Sequence, residues 1–230
     1  MDPKSFILAA SHGDESSTRK ALGEDPQLAA VRNDAGVSVI ATTVYAGHLP
    51  LARELASHRE ELDLFEAACL GDVDVVRAHV AVDPEIIDHH SPDGFSPIGF
   101  AAYLGHLELL VFLIDKGADL EAPSANAMRV RPLHSAAAHS DPTRATSIAR
   151  ALLEAGADPN AQQQDGFTPL HEAVHNNNLE LTRLLLSHDA NPHVSNDDGD
   201  SALQIAHAQK KRCLIDLIEK TIYRDQSPGE

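Results

Sequence analysis

The chain has 230 residues, of which 43% are apolar but only 4% aromatic, with no tryptophan. Eighteen Lys and Arg stand against 35 Asp and Glu, a formal charge of −17. That balance argues against nucleic acid and anionic membrane as partners, because both need clustered cations, and it favours a protein partner carrying a basic patch.

In chain order, Met1–Ala10 holds no basic segment followed by a long apolar run, so neither a secretion signal nor a membrane span is expected. Helix pairs are expected to start near Phe6, Val39, Asp63, Pro97, Pro132, Pro169 and Ala202. Ser57–Asp63, ahead of the third pair, is too short for a cap and a hairpin, so a tight turn is expected where a finger would otherwise stand. Before the fifth pair, Glu121–Arg131 is about two residues longer than its equivalents against the repeat period. Its capping position is Arg131, which has no hydroxyl or carboxylate to offer. Ala138–Thr143 inside that pair carries about four extra residues against the same period, with Pro142 opening the next helix. From residue 223 to 230 the chain is expected to be a disordered tail.

The most informative stretch is Phe167-Thr-Pro-Leu-His-Glu-Ala173. Degraded copies stand at Phe95–Ala101, Val130–Ala136, Val37–Thr43 and Asp200–Ala206. Thr168, Ser38, Ser96 and Ser201 can cap a helix through their hydroxyls. Pro97, Pro132 and Pro169 follow where a missing N–H costs nothing. Alanines at 101, 102, 136, 137 and 173 allow close helix stacking. Second helices carry apolar residues at helical spacing, as in Leu109, Leu110 and Leu113, and stop at Gly117, Gly156 or Asp189. Gly166 and Gly199 lie 33 residues apart. A second regularity has an offset of 58: Gly13 with Gly71, Gly36 with Gly94, Tyr45 with Tyr103, Asp25-Pro26 with Asp83-Pro84. Residues 1–57 and 59–115 therefore read as one two-repeat unit used twice.

A 33-residue period with a Thr-Pro-Leu-His-x-Ala core resembles the ankyrin-repeat family over nearly the whole chain. The resemblance implies an all-α solenoid of about seven repeats, one array over residues 1–222, with short β-hairpin fingers and regular repeats from 91 to 222. It also implies a non-catalytic adaptor, inhibitor or regulator that binds a partner protein on a concave face of finger tips and inner helices. Carried onto this sequence, that face holds Tyr45, Leu70, Phe95, Tyr103, Leu104, Met128, Arg129, His139, Phe167, His175 and Asn176. Tyr45 and Tyr103 lie where the fold needs no aromatic, and with Leu70 and Leu104 they form the sharpest expected patch.

The rival is catalytic. His171-Glu172-Ala-Val-His175 fits His-Glu-x-x-His, in which two histidines one turn apart hold zinc and the glutamate acts as base. His171, however, is the histidine of the repeat, and no third ligand follows at a zinc-peptidase spacing. Asp88-His89-His90 lacks four-ligand spacing, and Asn196–Asp200 lacks the length of a calcium loop. No enzyme activity, metal or cofactor is expected. Two cysteines, Cys69 and Cys213, give no disulfide framework and point to a reducing, cytoplasmic setting. A monomer is expected.

Overall fold

Short helices, most of them capped by a side chain at the first turn, make up more than half of the described residues. The computed structural model describes the backbone of residues 1–226 and the side chains of residues 1–223. It forms two compact units, Met1–Phe100 and Ala101–Glu230. The first contains α1 (Pro3–Ser11), α2 (Glu15–Glu24), α3 (Val39–Tyr45), α4 (Leu49–Ser57), α5 (Leu64–Leu70) and α6 (Val73–Val82), with 3-10 turns at Pro26–Ala30 and Pro84–Asp88. Helix α7 (Pro97–Leu104) spans the boundary in sequence. The second contains α8 (Leu107–Asp115), α9 (Pro132–Ala137), α10 (Pro142–Glu154), α11 (Pro169–His175), α12 (Leu179–Ser187), α13 (Ala202–Ala208) and α14 (Arg212–Gln226), with a 3-10 turn at Gln164–Gly166.

Capping explains the boundaries. Asp2 accepts the Ser5 N–H and Pro3 follows at the first helical position, so α1 starts three residues before Phe6. Asp14, Asp72 and Asn178 cap α2, α6 and α12 the same way. Asp141 takes the N–H groups of Thr143 and Arg144, so the extra residues before Pro142 feed a 13-residue helix. Helix α14 runs to Gln226, so the expected tail is helical from 223 to 226; residues 227–230 lie outside the described residues.

In the first unit α1, α3 and α5 stack in succession; in the second, α9, α11 and α13 do so, backed by the row α8, α10, α12 and α14. Small residues are fully buried in the inner helices, Ala67 and Ala68 in α5 of the first unit, Ala136 and Ala137 in α9 and Ala173 in α11 of the second; in the second unit Leu109, Leu110, Ile148, Leu181 and Leu185 are buried on the outer helices.

The fingers are narrow turns. Among the described residues the only strand-like pairings are single antiparallel bridges, Arg32 with Ser38 and Ser195 with Ser201. Asn33, Ser91, Gln163 and Asn196 each donate their N–H to the carbonyl four residues on, and each accepts from the glycine three residues on. In the longer finger the outer bond runs from Ser124 to Val130, six residues on, and Arg129 (φ 49°) takes the left-handed turn that glycines take elsewhere.

Between α4 and α5 six residues, His58–Asp63, make the link without a hairpin. Its closure is ionic. Asp63 accepts the Glu66 N–H at 2.8 Å, and the Glu66 carboxylate accepts the Asp63 N–H at 3.1 Å. Glu66 is 1% exposed and also accepts from Arg59 at 3.0 Å and Arg32 at 3.4 Å, while Arg32 pairs with Asp63. Glu66→Ala removes both the cap and the centre of this cluster. The expected loss is about 3 kcal/mol, the low end for a broken buried pair because both arginines keep some water; Glu66→Gln, which can still accept the Asp63 N–H, should lose less, as read from urea denaturation midpoints.

Candidate interaction surface

In α5, α9, α11 and α13 the third helical residue carries a side chain that ties the helix start to its surroundings. His171 is fully buried; its Nδ1 accepts the Thr168 N–H at 3.0 Å and lies 2.8 Å from the Thr168 hydroxyl. Its Nε2 donates to the Asp200 carbonyl at 3.1 Å, joining helix to the next finger. His134 makes the same outward bond to the Phe167 carbonyl at 3.1 Å, but its Nδ1 has no partner. The cause is Arg131, which stands where Thr168 stands in the next repeat. Gln204 takes the histidine position in α13 and accepts the Ser201 N–H at 2.7 Å. Glu66 takes it in α5.

This accounts for the His-Glu-x-x-His stretch. Both ring nitrogens of His171 are engaged, and Glu172 is half-buried and accepts from Gln163 at 3.3 Å. Burial raises the Glu172 carboxyl above its ordinary range. His175 is exposed, beside Gln209 at 3.3 Å. Among the described residues no group of three His, Cys, Asp or Glu is placed to hold a metal ion.

The expected surface residues divide by environment. In the first unit, Tyr45 is 39% exposed, but its ring stacks on Phe100 with centroids 6.2 Å apart and its hydroxyl donates to Asp93 at 2.6 Å. Burial, with Cys69 and Asp93 beside it, holds that phenol well above its ordinary range. Phe95 packs on the same Phe100 at 5.6 Å. Leu70 is 7% exposed, so it belongs to the core rather than to an apolar patch. In the second unit, Tyr103 (49% exposed), Met128 (54%) and Arg129 face solvent, with Leu104 half-buried. Met128 also gives its carbonyl to the Gln164 N–H at 3.3 Å, and Asp165 gives its carbonyl to the Asp197 N–H at 3.0 Å, so finger tips bond side by side. Phe167 meets the edge of His171 at 5.6 Å. His139 accepts the Asp141 N–H and packs over Gly105, and Asn176 donates to the Ala137 carbonyl. His139 and Asn176 thus fasten one repeat to the next, while the Phe167 ring packs within its own repeat. Sequence reasoning missed Phe100, which carries both Tyr45 and Phe95; an aromatic residue four places after the capping serine was its only signal.

Two family models match: ankyrin repeats in three copies over residues 64–163, and ankyrin repeats in many copies over residues 152–206. Together they take in more than half of the chain, which belongs to the ankyrin-repeat family. It is similar to BCL-6 corepressor-like protein 1 of Homo sapiens (36% identical over 117 residues, 50% of this chain and 6% of that protein). It is also similar to neurogenic locus notch homolog protein 4 of Homo sapiens (34% over 150 residues, 59% and 7%). A third relative is the putative E3 ubiquitin-protein ligase XBAT34 of Arabidopsis thaliana (39% over 77 residues, 33% and 20%). The chain thus spans a fifth or less of the length of these relatives. Ankyrin repeats are protein–protein interaction modules and are generally non-catalytic.

Burial holds the His134 imidazole down at about 4, with the Arg131 charge adding to the effect. A histidine kept neutral in the fold but free to protonate when unfolded destabilises the fold as pH falls from about 6.5 towards 4. The gap corresponds to a loss on the order of 3 kcal/mol. His134→Gln, which copies the residue α13 uses at this position, should flatten the plot of urea midpoint against pH in that window and leave it parallel to wild type above pH 7.

Proposed function

We propose that this chain is a non-catalytic adaptor or regulator that holds a partner protein against its finger tips and inner helices. The observation that carries the reading is the solvent exposure of Tyr103 and Met128, two large side chains at these positions in a chain otherwise poor in aromatic residues. Tyr, Met and Arg are enriched at interfaces, where a few such anchors carry most of the binding energy. Arg129, exposed beside Met128, adds a charged anchor. Pre-formed turns present these groups at little ordering cost on binding. The engagement of both His171 nitrogens supports a structural role for the His-Glu-x-x-His stretch.

The −17 charge supports a partner with a basic patch and disfavours phosphate-bearing surfaces. Two free cysteines, one exposed at 213, support a reducing, cytoplasmic setting.

The test is capture of partners from native lysate by wild type and by Tyr103→Ala/Met128→Ala, with Tyr45→Ala alongside. A specific partner should be retained by wild type and lost, by about tenfold or more in affinity, from the double variant, since each anchor contributes about 1–2 kcal/mol. The double variant should melt within a degree or so of wild type, because exposed substitutions rarely move stability. Tyr45→Ala should itself destabilise, through lost packing on Phe100. Equal capture by wild type and double variant would overturn the proposed site.

A further inference from the structure

The first unit holds an open groove of about 740 Å³ where the α4–α5 link passes over α6. Leu62 from the link, Val75, Ala78 and Val82 from α6, and Ile86 from the following 3-10 turn form its apolar lining. The α6 residues sit at i, i+3 and i+7, one stripe along the helix. Val82 is 88% exposed. None of the finger residues lines it.

The duplication shows that the fold does not require this stripe. Helices α2 and α6 are ten residues each and lie 58 apart, and their capping residues Asp14 and Asp72 match. At that offset Val75, Ala78 and Val82 correspond to Ser17, Lys20 and Glu24. Three positions that are polar on the first copy of the helix are apolar on the second, and they coincide with the place where a finger is absent.

The rim is of one sign. Glu60, Glu61, Asp74 and Asp83 border the groove. Its two basic side chains are committed elsewhere: Arg59 to buried Glu66, and His79, through Nε2, to the Leu62 carbonyl at 2.9 Å. A second copy of this chain, itself at −17, would meet like charge here. An apolar floor with a carboxylate rim complements one occupant: a segment with apolar residues at i, i+3 and i+7 flanked by Lys or Arg.

We propose that this groove is a second protein-binding surface, which takes a basic amphipathic helix of a partner protein. Apolar side chains of the helix cover Val75, Ala78 and Val82, and its cations meet Glu60, Glu61 and Asp74. Binding weakens as salt rises, since the charge pairs lie at an exposed rim.

The test uses the full chain with a synthetic Leu/Lys amphipathic helix of about five turns, roughly 18 residues, and a Leu/Glu helix of the same pattern as control. Affinity is read by fluorescence anisotropy and location by amide chemical-shift changes. Expected are binding of the Leu/Lys helix alone and shift changes centred on Leu62 and Val75–Ile86. Glu60→Lys/Glu61→Lys and Val82→Ser should each weaken binding by roughly tenfold. Asp197→Lys/Asp198→Lys, with the same change in net charge in the other unit, should leave it within about twofold. Equal weakening by the two charge-reversed pairs would show general attraction to an acidic protein and overturn the proposal. So would shift changes outside residues 56–86, or a concentration-dependent dimer in sedimentation that Val82→Ser abolishes. Tyr103→Ala/Met128→Ala should bind the helix as wild type does, so the groove and the finger surface stand or fall separately.

Discussion

An inner helix of six to eight residues cannot satisfy its own backbone. The first four N–H groups and last four C=O groups of any α-helix lack intrahelical partners, and in helices this short that is most of the ladder. Isolated helices of such length do not persist in water. The structure depends on how these orphan groups are met. At the front, the capping side chain and the third helical residue exchange bonds, as in Asp63 with Glu66, Thr168 with His171 and Ser201 with Gln204. At the back, the following repeat supplies donors: Asn176 to the Ala137 carbonyl at the end of α9, and Lys211 to the Val174 and His175 carbonyls at the end of α11. Helices α9 and α11 are thus completed by groups 36 to 39 residues further on, so neighbouring repeats stabilise one another.

The same constraint shows what a single irregular residue does. Arg131 donates to the carbonyls of Glu121 and Gln162 and so anchors the enlarged finger before α9. It offers nothing to the helix start, and His134 is left with a buried, unpartnered Nδ1. An unmet buried polar atom costs about 1–3 kcal/mol. One side chain has been turned from closing a helix to holding a loop, and the orphan appears three residues away. The tip of that finger then carries Met128 and Arg129, two exposed candidate anchors of the second unit.

Much of this was legible in the residues. The 33-residue period placed the helix starts from α7 onward, because proline and a hydroxyl at fixed positions act locally. Of those before it, Val39 and Asp63 fell at or next to the starts of α3 and α5, while Phe6 lay three residues inside α1. The missing finger followed from counting residues between helices. What escaped depended on burial by groups distant in sequence. Leu70 reads as an outward position but is covered, and Tyr45 reads as a free aromatic but lies against Phe100 and Asp93, 55 and 48 residues away. Glu66 gave no sign of being the histidine equivalent of α5, since a carboxylate and an imidazole share only the ability to accept the same N–H. The helical end of α14, at residues 223–226, was concealed by a polar composition that a helix tolerates when its other face is apolar.

The two copies of the duplicated segment separate what the fold demands from what it leaves open. Both keep the capping aspartate of the outer helix, the left-handed glycine before it (Gly13 and Gly71), and the Asp-Pro step into a 3-10 turn (Asp25-Pro26 and Asp83-Pro84). These are backbone requirements, and substitution there breaks a turn or a cap. Leu28 and Ile86 hold equivalent places, but Leu28 is buried and Ile86 only half so. The outward row of α2 is hydroxyl, ammonium and carboxylate, the composition expected of a solvated face; the outward row of α6 is valine, alanine and valine. Identical backbone requirements with opposite surface chemistry mean that the apolar row on α6 has no origin in folding. An exposed apolar row is a liability in a chain that must avoid aggregation, and the carboxylates at its rim offset that liability against other copies of the same acidic protein. The combination is costly to keep without use and selective in what it admits.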